Sequence, residues 1–331
     1  MINGHGDDIY GKTIVSNFSS NIYNGFDVSA FDEYLREHIS SIHSYPEPDA
    51  ASLAFLISEK NNISSENICL TNGATEAIYL IAQAFRGRTS SIVIPTFSEY
   101  EDACKVNEHK LNFMKQLSDF EGNSDLVWLC NPNNPTGKVI DKLLLIEVIK
   151  KFPQVIFVID QSYEFFTLKE TLQIEEAAVY SNVILLHSMT KQYAIPGLRL
   201  GYITGCGSII DKVREYCMPW SVNQLAIEGG KFLLNHEFSL DISSYLKETE
   251  LFASELNQIN GLSAQKEDTS FFLCRLDKKT GKEMKTYLIE EHGILIRDAA
   301  NFRGLDKHCF RVATQSIDEN NNLIKAIKAW I

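Results

Sequence analysis

Between residues 66 and 204 the chain alternates short apolar runs with amphipathic stretches of helical spacing. The run Val155-Ile156-Phe157-Val158-Ile159 is apolar at every position, and so is Val183-Ile184-Leu185-Leu186. A strand with one wet face alternates polar and apolar residues, so runs like these fit strands covered by helices on both sides. Further runs lie at 67–70, 92–94, 111–114, 126–129 and 202–204. Between the first two, Ala74, Ala77, Ile78, Ile81, Ala82 and Phe85 fall on one helical face. Helices are also expected near 98–108 and 142–151. The pattern predicts an α/β fold, with a large domain whose mostly parallel central sheet lies between helices, plus a smaller α/β lobe.

The flanking segments read differently. Up to about residue 45 the chain is polar and irregular, with turn signals at Ser19-Ser20-Asn21 and Asn24-Gly25 and one short helix near 31–39. Ser44-Tyr45-Pro46-Glu47-Pro48 is an extended link, because a residue before proline is pushed out of the helical region; a helix follows to about 59. After Trp220 a helical region spans 223–257 with a break near His236. Then come a strand at 271–276, a helix at 282–292, strands at 294–297 and 310–312, and a helix from 318. The chain of 331 residues suits one large domain and a lobe. The expected segments are 1–44, joining the small lobe; 45–222, the large domain; and 223–331, the small C-terminal domain.

Charge and cysteines narrow the function. A net charge of −12 argues against nucleic-acid binding, which needs a basic footprint. The seven cysteines show no C-x-x-C pair and no histidine at zinc spacing, so no metal site is expected. The first residues have neither the basic nor the apolar part of a signal peptide, and no apolar run approaches the length of a membrane span. A soluble cytoplasmic protein is the expectation.

Four stretches stand just past predicted strands, where α/β sheets place ligands. Asn72-Gly73-Ala74-Thr75 opens a helix, whose free N–H groups suit a phosphate; a plain helix start would look the same. Asn131-Pro132-Asn133-Asn134-Pro135-Thr136-Gly137 is a loop in which two prolines can hold an asparagine in one direction. Asp160 ends an apolar run, with Tyr163 three residues on; a helix cap would explain the acid equally well. Ser188-Met189-Thr190-Lys191 places a lysine between hydroxyls, with Arg199 eight residues further. Buried near another cation, such a lysine becomes a neutral nucleophile that can form a Schiff base, while the hydroxyls and arginine suit a phosphate.

In this order and at these separations, the four stretches resemble the aspartate-aminotransferase-type (fold type I) pyridoxal-phosphate enzymes over nearly the whole chain. The resemblance implies that Lys191 carries the cofactor covalently and that Asp160 pairs with its ring nitrogen. It implies Asn134 and Tyr163 at the ring's phenolic oxygen, and Phe97 stacked on the ring. Gly73, Ala74, Thr75, Ser188, Thr190 and Arg199 match the phosphate cradle. Tyr45 matches a tyrosine that reaches the neighbouring subunit's cofactor phosphate, which implies a homodimer with shared active sites. Arg311 matches the arginine that binds the substrate carboxylate. Within the family the likeness is strongest to the branch that decarboxylates a phosphorylated amino acid, with phosphate-substrate aminotransferases second. His5, Asn21 and Arg297 are then candidates for the substrate phosphate, alongside Asn134 and Arg311. Asp7-Asp8 and Asp160-Gln161-Ser162-Tyr163 depart from the family's usual residues.

Overall fold

A computed structural model describes residues 6–7, 11–23, 25, 27–236 and 240–331; His5 and Asp8 lie outside them. The strands are, in chain order, β1 (Ser16–Asn17), β2 (Ile68–Thr71), β3 (Thr89–Val93), β4 (Lys110–Met114), β5 (Leu126–Cys130), β6 (Ile156–Asp160), β7 (Val183–Ser188), β8 (Gly201–Gly205), β9 (Leu262–Gln265), β10 (Phe271–Leu276), β11 (Ile294–Leu295), β12 (Arg297–Asp298) and β13 (Cys309–Ala313).

Seven of them form the central sheet in the order β2-β8-β7-β6-β5-β3-β4. All neighbours from β7 to β4 run parallel, and β8 is antiparallel to both β7 and β2. Each central strand feeds two cores, because successive side chains point to opposite faces. Val127, Leu129, Phe157, Ile159, Val183 and Leu185 pack on one side with Leu145 and Ile149 of the helix Lys142–Lys151. Leu126, Trp128, Val158, Ile184 and Leu186 pack on the other with Ile78, Ile81 and Tyr100. That double covering is why these runs contain no polar residue. Helix starts are written locally: Asp141 Oδ1 accepts from Leu144 N at 3.0 Å and Asn223 Oδ1 from Ala226 N at 2.9 Å, caps that contribute roughly 1 kcal/mol each.

A third core joins residues from all three expected segments. Phe31, Leu53, Ile57, Leu70, Leu200, Ile227 and Leu233 pack together, so the helices Ser29–Glu37, Ala51–Asn61 and Gln224–Asn235 share one apolar cluster.

In the C-terminal lobe, β12-β13-β10-β9 form an antiparallel sheet. It packs through Phe272, Phe310 and Val312 on Phe252, Leu288 and Leu323. The N-terminal stretch lies on this lobe: β1 pairs in parallel with β11, and the fully buried Phe18 joins its core. The run expected as one strand at 294–297 is two. Its start pairs with β1 and its end with β13, with Ile296 buried at the change of partner. The chain segment responsible, β1, is distant in sequence, pairing Ser16 with Ile294, so no local signal announces the break.

Candidate active site

The carboxyl ends of β5, β6 and β7 open into a cleft of about 210 Å³, closed on its far side by residues of the lobe and the N-terminal stretch. Twelve of the expected residues line it: Ala74, Thr75, Phe97, Asn134, Asp160, Tyr163, Ser188, Thr190, Lys191, Arg199, Arg297 and Arg311.

Lys191 sits in the single helical turn Met189–Gln192 that follows β7. Its Nζ donates to the Ser20 carbonyl at 3.2 Å. Burial, with Arg311 and Arg199 nearby, pushes its pKa down to about 8, against the opposing pull of Asp7 and Asp160. A useful fraction of the amine is therefore neutral near physiological pH.

Asp160 ends β6 and is almost completely buried. Its Oδ1 accepts from the backbone N–H and hydroxyl of Ser162, at 2.9 and 2.6 Å. Its Oδ2 accepts from the hydroxyl of Tyr100 at 2.6 Å. Burial, then the Asp160 charge, pushes that phenol well up, so it stays a donor. Tyr100 and Ser162 were not among the expected site residues. Tyr100 could have been suspected, since it lies three residues beyond Phe97, whose ring meets its own edge-on at 6.0 Å.

The anion cradle is built from close approach. Gly73 has φ +80° and precedes the helix Ala74–Ala84. A Cβ there would collide with the Arg199 guanidinium, and a Cβ on Gly201 would lie 2.7 Å from the Ala74 nitrogen. Ser188 Oγ and Thr190 Oγ1 are 2.7 Å apart on the adjoining turn. Helix N–H groups, hydroxyls and a guanidinium thus face one spot, an arrangement that suits a phosphate.

On the lobe side, Arg311 on β13 stands directly opposite Arg297 on β12 in the antiparallel register. Arg311 donates to Asn134 Oδ1 and to the Ser19 carbonyl, while its Nε has no hydrogen-bond partner among the described residues. Burial lowers its pKa to about 10. Arg297 donates to the Asp298 carbonyl at 2.7 Å and Asn301 Oδ1 at 2.9 Å, beside the Phe302 ring. Asn21, at φ +53°, is buried, and its side chain interacts with the Tyr163 hydroxyl. Burial pushes Tyr163 up. Asp7 also lines the cleft, held by Asn17 Nδ2 and Ser19 Oγ. Tyr45 does not reach this cleft: it is 83% exposed, its ring 5.1 Å from that of Trp220.

The model of the family "Aminotransferase class I and II" matches residues 13–327. The chain belongs to this family. Its fold matches the crystal structure of L-threonine-O-3-phosphate decarboxylase from Porphyromonas gingivalis with a TM-score of 0.93 and 39% identity, over 96% of this chain and 99% of that one. The histidinol-phosphate aminotransferase of Clostridium acetobutylicum matches with a TM-score of 0.84 and 28% identity, over 96% and 99%. The threonine-phosphate decarboxylase of Salmonella typhimurium is 30% identical over 311 residues, which is 89% of this chain and 85% of that protein. Pyridoxal phosphate is the cofactor of this class I and II member, and the residues present fit it. An amine of lowered pKa, a buried carboxylate and an anion cradle share one cleft, and the buried Arg311 Nε has no hydrogen-bond partner among the described residues.

Proposed function

We propose that the chain decarboxylates L-threonine O-3-phosphate to (R)-1-amino-2-propanol O-2-phosphate, a step of cobalamin biosynthesis. The observation that carries this is the pair Arg297 and Arg311, opposed across two strands and buried in the same cleft as Lys191. Two buried guanidiniums suit a small substrate with two anionic groups, a carboxylate and a phosphate, because each fork can donate twice. The relatives named for this reaction support it.

Gly73, Ala74, Thr75, Ser188, Thr190 and Arg199 would hold the cofactor phosphate, Asp160 the ring nitrogen, and Tyr163 with the Asn134 amide the phenolic oxygen, beneath Phe97. When bound, the cofactor supplies an electron sink beside the substrate's Cα. Arg311 grips the substrate carboxylate, and Arg297 and Asn21 take the phosphate; His5 is a candidate there too. By fixing the orientation of the carboxylate, Arg311 would decide between loss of carbon dioxide and loss of the Cα proton. Lys191, with its pKa at about 8, keeps a protonated fraction that would return a proton to Cα.

The active unit in this proposal is a cytoplasmic homodimer. Tyr45 does not line its own cleft and lies beside the half-exposed Trp220, and the adjoining turn Ile39–His43 exposes Ile39 and Ile42. Such an apolar face suits a second copy, whose cofactor phosphate Tyr45 would reach.

Purified protein loaded with pyridoxal phosphate and given threonine phosphate tests the reaction. Carbon dioxide release without an added keto acid is expected. Amino exchange that needs a keto acid and releases none would replace this function with an aminotransferase acting on a phosphorylated amine. Sedimentation as a monomer at micromolar concentration would remove the dimer.

A further inference from the structure

Two cysteines far apart in sequence touch at the edge of the central sheet, away from the cleft. Cys69 lies on β2 and Cys217 follows the helix Gly207–Arg214. Their sulfurs are 3.4 Å apart. Cys69 is buried, whereas Cys217 is partly exposed, and both line a second cavity of about 560 Å³ with Arg214. Arg214 is held in place by hydrogen bonds to the carbonyls of Ser65 and Ile68. The contact with Cys69 lowers the pKa of the Cys217 thiol against the opposing effects of burial and Glu76, while the same contact and burial raise that of Cys69. One sulfur is therefore the accessible nucleophile, and the other stands within reach behind it.

We propose that Cys69 and Cys217 form a peroxide-sensitive dithiol that closes to an intramolecular disulfide. The Cys217 thiolate attacks one peroxide oxygen; the S–O bond forms, the O–O bond breaks, and the departing hydroxide takes a proton to leave as water. The Cys69 sulfur then attacks the Cys217 sulfur; the S–S bond forms, the S–O bond breaks, and a second water leaves with the Cys69 proton. Two thiols lose two electrons, and hydrogen peroxide gains them. A dithiol reductant reverses the change.

The place of the pair gives the bond a consequence. β2 runs directly into Thr71 and the Gly73 turn of the anion cradle. The segment after Cys217 leads to Trp220, whose N–H donates to the Pro48 carbonyl at 2.8 Å and whose ring packs on Tyr45. The disulfide ties the cradle strand to the support of Tyr45. It requires neither the proposed substrate nor the proposed dimer.

The test treats the cofactor-loaded protein with hydrogen peroxide, alkylates the remaining thiols, and maps peptides without reductant. A Cys69–Cys217 linked peptide is expected, with two of the seven thiols lost per chain and regained with dithiothreitol. Cys217→Ser should abolish the link, and Cys69→Ala should leave an oxidised Cys217 that dimedone captures. The proposal is overturned if both cysteines remain alkylatable after Cys206, which is likewise only partly exposed, has been oxidised. A link pairing either one with a different cysteine, or thiol loss unchanged in Cys217→Ser, overturns it equally.

Discussion

The hydroxyl of Tyr100 donates to Oδ2 of Asp160 across 2.6 Å, with both groups buried. Ser162 occupies the other oxygen with two further bonds. The carboxylate that faces the cleft is therefore held from behind before any ligand arrives, and it pays no reorganisation cost on binding. Tyr100→Phe keeps the ring packed against Trp128, 5.9 Å away, and removes only the donor. A hydrogen bond to a charged group contributes about 1.5–3 kcal/mol, so affinity for pyridoxal phosphate should fall at least about tenfold. Titration of cofactor-free protein reads this directly. An unchanged dissociation constant would show that Ser162 alone positions Asp160.

Lys191 titrates early because burial and two arginines oppose its charge. In cofactor-free protein its labelling by an amine-acylating reagent should rise with pH around a midpoint near 8, well before surface lysines react. The sign for stability follows. The folded pKa lies below the unfolded value, so between about 8 and about 10.4 the unfolded chain binds more protons and stability rises with pH. At pH 7 the buried charge opposes folding, so Lys191→Met should stabilise the cofactor-free protein by on the order of 1–3 kcal/mol. Denaturant unfolding at pH 7 checks this; destabilisation would mean that the Nζ–Ser20 bond outweighs the burial.

Arg311 and Arg297 should separate in their effects. Arg311→Met leaves the Ser19 carbonyl and Asn134 without a donor, so it should lower both stability and substrate affinity. Losing one member of a buried charged contact costs about 2–5 kcal/mol, or roughly 30-fold or more in binding. Arg297→Met removes contacts to Asp298 and Asn301 and should weaken threonine phosphate binding far more than threonine binding. Isothermal titration with both ligands distinguishes them, and equal losses for the two would show that Arg297 does not meet the phosphate.

Arg303 forks onto Glu101, with bonds of 2.7 and 2.6 Å, and so joins the lobe to the helix Glu99–Val106. Arg303, with help from Lys105, holds the Glu101 carboxyl down to about 2. A depressed carboxyl pKa stabilises the fold above its ordinary value of 4.5, and that contribution disappears as the pH falls towards 2. Arg303 is 47% exposed, so solvent screening limits the contribution to about 1 kcal/mol. Glu101→Gln should flatten the acid arm of the stability curve between these pH values. Parallel acid unfolding of the two proteins measures it, and coincident curves would count against the clasp.

Much of this molecule is local in origin. The doubly apolar runs became the central strands, the helix expected at 142–151 has those bounds, and the strand at 271–276 likewise. Asp160, Lys191, Asn134 and the Gly73 turn were legible because each follows a strand end, and chain order alone brings such ends to one side of a parallel sheet. Tyr100 was not legible as a partner of Asp160, because nothing in a helical face says which strand end it meets.

Periodicity records the two faces of an element but not the identity of its neighbours. Composition, strand order along the chain and the cofactor motifs were therefore determined by the sequence alone. Only the tertiary structure decided the pairing of β1 with β11, the break at Ile296, the opposition of Arg297 and Arg311, and the meeting of Cys69 with Cys217. Each of these joins segments through register or packing between elements, where the energy depends on the partner as much as on the residue itself.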